Sequence, residues 1–450
     1  MAKLYPFRAL RYDPARVKME DVVTQPYDKI SPAMQQRYYD QSPYNLIRVI
    51  LGKQEPGDND ASNVYTRADA TLKAWRKDHI LREEAEPALY GYSQTYTVPR
   101  SANAVGEPEV RERRGFIALG HLYDYADKVV YRHELTHAKA KSDRMSLFKA
   151  TRTYCEQIYM LYSDPAFTAE KLIFGDDAPA DLAITDEYNV VHRVWKLTDP
   201  TLINLILTAM ADKKLIIADG HHRYETSVAY AKERSEQLRL PLNQPADDDE
   251  KLSPSHLPHP PFPEAAMMMT FVNMDSPGIT ILPTHRVLFG LKEFNTKAFL
   301  EKAEEFFTVK PLVEPNLEEL TAADKVAFIA VTQDGTHLLT AKPEAISAAL
   351  SGFSARQAEL DVVQLHGILI ERILGLTAEA VRQGQSLRYV REAAEAIGEV
   401  KSGQADLAFL IRPVTLDQLR DISLSGDVMP QKSTDFYPKL LSGLAIYALD

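Results

Sequence analysis

Residues 215–227 (LIIADGHHRYETS) constrain the fold of this chain more than any other stretch. A short apolar strand there runs into Asp219-Gly220 and then directly into two histidines and an arginine. Leu215, Ile216, Ile217 and Ala218 make an apolar, partly β-branched run of the kind a buried strand needs, while 221–237 carries Val228 and Ala231 at helical spacing. The turn between them is therefore a helix N-terminus, where unpaired backbone N–H groups and the positive end of the helix dipole gather, and Gly220 lets backbone approach a ligand closely. Such a turn is an anion site. His221, His222 and Arg223 supply cationic or donor side chains, and Asp219 at the strand end could bind a metal ion or accept a proton. The plainer alternative is that Asp219 only caps the helix and the histidines are satisfied turn residues. It accounts for one histidine better than for the whole Asp-Gly-His-His-Arg run.

Composition narrows the partners. At 450 residues, 45% of them hydrophobic, the chain can bury one large core or two smaller ones. The formal charge of −11 repels nucleic acid and anionic membrane but leaves room for a local basic pocket that holds a small polyanion. Cys155 is the single cysteine, so no internal disulfide forms, and a buried small hydrophobe is the expectation for it. The opening MAKLYPFR has no apolar leader core, and no apolar run approaches the roughly 20 residues that span a bilayer, so a cytoplasmic protein is expected. Oligomeric state has no signature here.

Along the chain, strand-like and helix-like segments alternate. Strands are expected at 45–51, 88–98, 111–123 and 157–162, with the second and third adjacent and antiparallel around a polar loop at 99–108. Helices are expected at 61–82 and 139–151. The clearest seam is 240–263, where seven prolines and the acidic run 247–250 make a segment that cannot pack a core, so 241–264 is expected to be a mobile insertion with His256 and His259 solvated. It divides the chain into an N-terminal part, 1–240, and a C-terminal part, 265–450. Beyond it, 265–274 and 279–289 look like paired strands, 296–307 a helix, 326–331 and 336–342 a hairpin, and 359–374 a helix in which His366 is a satisfied polar residue beside core positions. Met429-Pro430-Gln431-Lys432-Ser433-Thr434 is a loop with a lysine and two hydroxyls, ahead of Lys439 and a terminal helix. It lacks the glycines of a Walker A loop. The fold class expected is α+β, with mixed, largely antiparallel sheets, flanking helices, and one cleft shared by the two parts.

His133-Glu134-Leu135-Thr136-His137 matches H-E-x-x-H, in which two histidines one helical turn apart bind zinc and the glutamate is the general base. Glu156, 19 residues after His137, is available as a third ligand. The setting is wrong for it: 128–131 is strand-like, and Arg132 and Lys139 place charge where a zinc-peptidase helix is apolar.

Six segments together carry a resemblance: PYDKIS (26–31), NLIRVIL (45–51), HELT with the following Asp143-Arg144, ADGHHRYET (218–226), PTHR (283–286) and MPQKSTDFYPK (429–439). On these motifs, spaced from end to end, the chain resembles the bacterial and archaeal family known as domain of unknown function 1015. Gln25 stands where a second proline is expected, and His137 falls outside the family element. The family's Asp-Gly-x-His-Arg element is similar to the phosphate-binding turn of the ParB and sulfiredoxin fold, found also in archaeal kinases of free serine. The resemblance implies phosphoryl transfer from pyrophosphate, or less readily ADP or ATP, to free L-serine, giving O-phosphoserine and phosphate.

The residue types suit that chemistry, because a pyrophosphate donor needs a dense set of cations and usually Mg²⁺ but no adenine pocket or organic cofactor. On this expectation Gly220, His221, His222 and Arg223 hold the donor, with Arg144, Arg286, Lys432 and Lys439 on the remaining oxygens. Asp219 is either the base for the serine hydroxyl or a Mg²⁺ ligand, Glu134 or Asp28 takes the other task, and Ser433, Thr434 and His285 touch a phosphoryl oxygen or the amino acid. Two other classes compete. A zinc hydrolase built on residues 133–137 needs bound zinc, and a ParB-like nucleotide-binding module needs a basic DNA surface that the acidic balance disfavours.

Overall fold

The apolar strand and helix that open the argument are present as Leu215–Asp219 and His221–Leu238, with Gly220 as N-cap between them. They belong to a computed structural model that describes residues 1–99, 107–136, 138–175, 178–243 and 256–450. The acidic run 247–250, most of the loop 99–108 and His137 lie outside the described residues.

Leu215–Asp219 pairs in parallel with Val130–Tyr131 on one side and antiparallel with Ile158–Tyr162 on the other. The large sheet continues through Ala266–Asn273, Val110–His121, Leu89–Thr97 and Val191–Leu197 to Leu182–Thr185, and Leu4–Tyr5 adds to Val110–His121. Ala266–Asn273 runs parallel to Ile158–Tyr162; the pairs beyond it are antiparallel. Ile158–Tyr162 and Ala266–Asn273 are buried at every position, so both sheet faces are covered there and the strands read as continuous apolar runs. A second sheet is antiparallel throughout, in the order Phe307–Leu312, Gly335–Ala341, Ala327–Thr332, Leu407–Leu410, His285–Leu288, Leu387–Val390. The architecture is α+β with mixed, largely antiparallel sheets, as expected.

Several elements depart from the sequence reading. The apolar run 45–51 is a short helix, Ile47–Ile50, rather than a strand; Asn45 starts it by accepting from the Ile47 backbone N–H (3.0 Å). Five of its seven residues are buried and Arg48 and Leu51 partly so, and periodicity carries little information there. The helix expected at 61–82 ends at Lys77, and Leu81–Glu83 pairs back with Leu10–Tyr12. No terminal helix follows Lys439: Tyr447–Ala448 pairs with Thr153–Tyr154 instead, and Gly443 turns the chain at φ 101°.

The strands expected to pair at 265–274 and 279–289 do not pair with each other. Ala266–Asn273 enters the middle of the large sheet, Thr280–Leu282 pairs with Asp435–Tyr437, and His285–Leu288 joins the second sheet. The division 1–240 and 265–450 is therefore not a division between sheets, because the large sheet closes only with a strand from each side. Among the described residues, no helix is long and apolar enough to cross a membrane.

Candidate anion site at the Gly220 turn

Four chain segments meet at the N-terminus of helix His221–Leu238. They are the turn Tyr27–Lys29, the stretch holding Glu134 and Leu135, the strand end and turn 218–223, and the C-terminal loop with Lys432, Thr434 and Lys439. The helix is long enough, at 18 residues, to carry a full dipole. Gly220 sits at φ 97°, where an added Cβ would lie 3.2 Å from both the Arg223 guanidinium and Ile158 Cδ1. Only glycine fits that turn.

The cleft alternates charge. Lys29, Arg223, Lys432 and Lys439 face Asp28, Glu134 and Asp219. Asp219 Oδ2 lies 3.8 Å from Lys439 Nζ and 4.0 Å from Arg223 Nη2. Burial opposes its ionisation, but Lys439, Arg223, Lys29 and Lys432 together hold its carboxyl far below the usual range. Lys439 is clamped between Asp435 (2.9 Å) and Asp219. Asp435 also receives Arg391 at 2.7 Å and Lys29 at 3.8 Å, and these cations overcome burial to hold its carboxyl down to about 2. Lys29 is moved the other way, its ammonium destabilised first by neighbouring Lys439 and then by burial. Crowded cations of this kind are what an added anion relieves.

Glu134 differs from Asp219. It forms a single parallel bridge with Met429, whose N–H donates to His133 O at 2.8 Å, and its Oε1 accepts from the Lys432 backbone N–H at 3.2 Å. Burial raises its carboxyl pKa, against the pull of Lys432. Of Glu134 and Asp219, it is the one whose neutral form its surroundings favour.

The expected site residues divide into those that line this cleft and those that do not. Asp28, Glu134, Asp219, Gly220, His221, His222, Arg223, Lys432, Thr434 and Lys439 line it. His221 does so as a neutral ring and not as a cation: it is 7% exposed, burial and the ring of His133 at 4.6 Å push its pKa well down, and its Nε2 has no hydrogen-bond partner among the described residues. His133 is likewise driven down, to about 4, mainly by burial, and is hydrogen-bonded to Thr434 Oγ1 at 2.9 Å. Arg223, 4% exposed, is committed to Gln157 O, Glu156 and Asp219 and braces the turn.

Arg144, Arg286, His285 and Ser433 do not line the cleft. Arg144 is bound by Asp143 (2.6 Å) and Glu156 (3.3 Å) and lies 4.0 Å over the Tyr27 ring, one layer behind. Arg286 is fully buried, donating to His366 Nε2, Thr284 O and Lys432 O, so it supports the loop backbone. His285 accepts from the Ile411 N–H at 3.2 Å inside the second sheet, and Ser433 donates to Pro430 O within its own turn. In each case the motif was legible but the direction of the side chain was not.

The described part of the zinc pattern, residues 133–136, is not helical, and Glu156 is spent on Arg144, Arg223 and the Tyr27 N–H (3.0 Å). Among the described residues, no group of three His, Cys, Asp or Glu side chains is placed to hold a metal ion. Magnesium asks for less: it binds through one or two carboxylates plus phosphate oxygens and its own waters. Asp219 and Glu134 fit that demand.

Two residues that matter here went unmarked in the sequence, and a third was marked for another role. Lys29 and Asp435 lie inside the quoted motifs PYDKIS and MPQKSTDFYPK, beside residues that were marked. Glu156 was marked only for zinc. Its place as the hub of two buried arginines depends on Arg144 and Arg223 converging from different helices, which spacing does not encode.

Fold and site together define an α+β protein with a small, charge-alternating cleft suited to a polyanion. The sequence matches the family model described as "Protein of unknown function (DUF1015)" over residues 4–363, and the chain belongs to that family. No curated protein matches it. Solved structures similar to it include a free serine kinase in complex with AMP, 12% identical over 72% of this chain and 86% of that one, with a TM-score of 0.34. SbnI with C-terminal truncation from Staphylococcus aureus is 10% identical over 72% and 85%, with a TM-score of 0.36. A conserved hypothetical protein from Pyrococcus furiosus is 11% identical over 72% and 92%, with a TM-score of 0.34.

Proposed function

We propose that the protein is a phosphotransferase that moves a phosphoryl group from pyrophosphate to the hydroxyl of a small acceptor, free L-serine. The observation that carries this reading is the Gly220 turn. A full helix N-terminus opens on a cleft where Lys29 and Lys439 sit among carboxylates of two different kinds, Asp219 held ionised and Glu134 raised. Backbone N–H groups at 221 and 222, Lys29 and Lys439 bind the donor and take up the charge that builds on its oxygens. Serine as acceptor and pyrophosphate as donor rest on the family resemblance.

The acceptor oxygen forms a bond to phosphorus as the bond to the bridging oxygen of pyrophosphate breaks. Phosphate departs, and the hydroxyl proton passes to Glu134. A carboxyl with a raised pKa suits that task better than Asp219, which its cations make too weak a base. Asp219 orients Lys439 and would hold Mg²⁺ brought with the donor, which supplies further charge neutralisation.

Phosphorus NMR with Mg²⁺ and L-serine, offering pyrophosphate, ADP and ATP separately, tests this reading. Phosphoserine in the pyrophosphate tube is the expected result. Silence in all three sinks it.

A further inference from the structure

Most charges in the cleft are already matched. Lys439 is bound by Asp435 and Asp219, Lys29 by Asp435, and Arg223 by Glu156 and Asp219. Glu134 accepts from backbone. One group of each sign acts on the others only through space: the Asp28 carboxylate and the Lys432 ammonium line the cleft, both exposed, and neither makes a hydrogen bond or ion pair with its side chain among the described residues. Both are set by backbone that is itself tied down. Tyr27, next to Asp28, donates its N–H to buried Glu156 at 3.0 Å. Lys432 stands at φ 57°, its N–H on Glu134 and its carbonyl on Arg286.

An opposite pair held on rigid turns beside a phosphoryl site matches a zwitterion. We propose that Asp28 and Lys432 form the acceptor subsite, with Asp28 taking the α-ammonium and Lys432 the α-carboxylate of a free α-amino acid. This rests on the phosphoryl-transfer reading and gives it a specificity. In serine the two charged groups sit only a few bonds from the hydroxyl, so an acceptor anchored by both presents its oxygen toward Glu134, whose carboxyl is hydrogen-bonded to the Lys432 backbone. Lys432 then serves the acceptor, not the donor oxygens to which its motif was first assigned. A ligand that pairs only one of the two charges gains only one of the two contacts, so serine lacking its amino group (hydroxypropanoate) or its carboxylate (ethanolamine) is discriminated against.

Calorimetric titration of L-serine, hydroxypropanoate and ethanolamine into the full chain, with and without Asp28→Asn and Lys432→Gln, tests the subsite without requiring turnover. The wild type binds L-serine and not the two analogues. Asp28→Asn weakens L-serine binding about tenfold or more and narrows its advantage over hydroxypropanoate; Lys432→Gln does the same against ethanolamine. Pyrophosphate affinity, titrated separately with Mg²⁺, changes less than about twofold in both variants. Equal binding of all three acceptors by the wild type, or loss of pyrophosphate–Mg²⁺ affinity in Asp28→Asn with L-serine affinity intact, overturns the proposal. Serine binding without phosphoserine from any donor overturns the kinase reading and leaves the subsite standing.

Discussion

At the scale of single residues, the site separates groups of the same type by their surroundings. Glu134 and Asp219 are both cleft carboxyls, yet burial raises one while four basic side chains hold the other down. If Glu134 is the base, it acts ionised, so the acid limb of the rate–pH profile lies above the ordinary glutamate value of 4.5 and activity rises as pH increases through it. Glu134→Gln removes that limb and lowers kcat by about 100-fold or more; an unchanged profile in the variant assigns the proton elsewhere. Asp219→Asn abolishes turnover while the fold survives, since Asp219 is partly exposed and Lys439 keeps Asp435; near-normal turnover removes Asp219 from catalysis. Asp435 contributes through stability. Its folded pKa, about 2, is below its ordinary 3.8, so its ion pairs contribute about 2 kcal/mol that is present above pH 3.8 and lost as pH falls toward 2. Urea unfolding of Asp435→Asn across that range checks the sign, because the variant lacks this part of the acid-range slope. The roles of Lys29, Asp435 and Glu156 escaped the sequence reading for one reason: a charged residue's role is set by partners from other segments.

At the scale of elements, the strand–turn–helix at 215–238 is the part whose geometry follows most directly from local chemistry. The strand is apolar, the helix starts after a residue that must adopt positive φ, and an added Cβ at Gly220 would press on Arg223 and Ile158 at 3.2 Å. Gly220→Ala therefore costs about 1–2 kcal/mol in backbone strain and additionally displaces the Arg223 guanidinium. Thermal unfolding together with pyrophosphate titration measures both effects; an unshifted Tm and unchanged affinity show that the turn tolerates a Cβ. Residues 45–51 and 440–450 misled for the opposite reason. Both are mostly buried, and a segment with little solvent face carries little periodicity to distinguish strand, helix and coil. Between helix 221–238 and its neighbours, Glu156 joins Arg144, Arg223 and the Tyr27 N–H at 5% exposure. Glu156→Ala leaves two buried guanidinium groups undercompensated and costs about 3–5 kcal/mol by chemical denaturation, whereas a loss near zero makes the hub dispensable.

At the scale of the whole molecule, the cleft exists because the chain crosses between its sheets repeatedly. Ala266–Asn273 lies between Ile158–Tyr162 and Val110–His121, and the loop carrying Lys432 reaches the Gly220 turn through Asp435–Tyr437, paired with Thr280–Leu282. Met429 bridges back to the Glu134 stretch, and the last strand, Tyr447–Ala448, binds Thr153–Tyr154 next to Glu156. Such interleaving makes the candidate site depend on contacts distant in sequence. Phe271, fully buried and stacked on Phe116 with ring centroids 5.3 Å apart, sits in the central strand. Phe271→Ala costs about 3–5 kcal/mol and lowers the stability of the site along with that of the sheet. Pyrophosphate binding and intrinsic fluorescence followed through the same urea titration should lose signal together; a site that persists after the sheet has unfolded contradicts the interleaved picture.

What the sequence determined by itself was local: the strand–Gly–helix turn, the antiparallel pair 88–98 and 111–123, the hairpin at 326–342, the α+β class and the motifs that hold charge. Each depends on neighbours a few residues away, through alternation, helical spacing or a turn that demands glycine. Tertiary structure decided which charges face the cleft and which are spent behind it. Arg144 and Arg286 stand in motifs like those of Lys432 and Lys439, but burial against Glu156 and His366 turns them into supports. A guanidinium or carboxylate takes its role from the partner that desolvation forces on it, and that partner is chosen by packing.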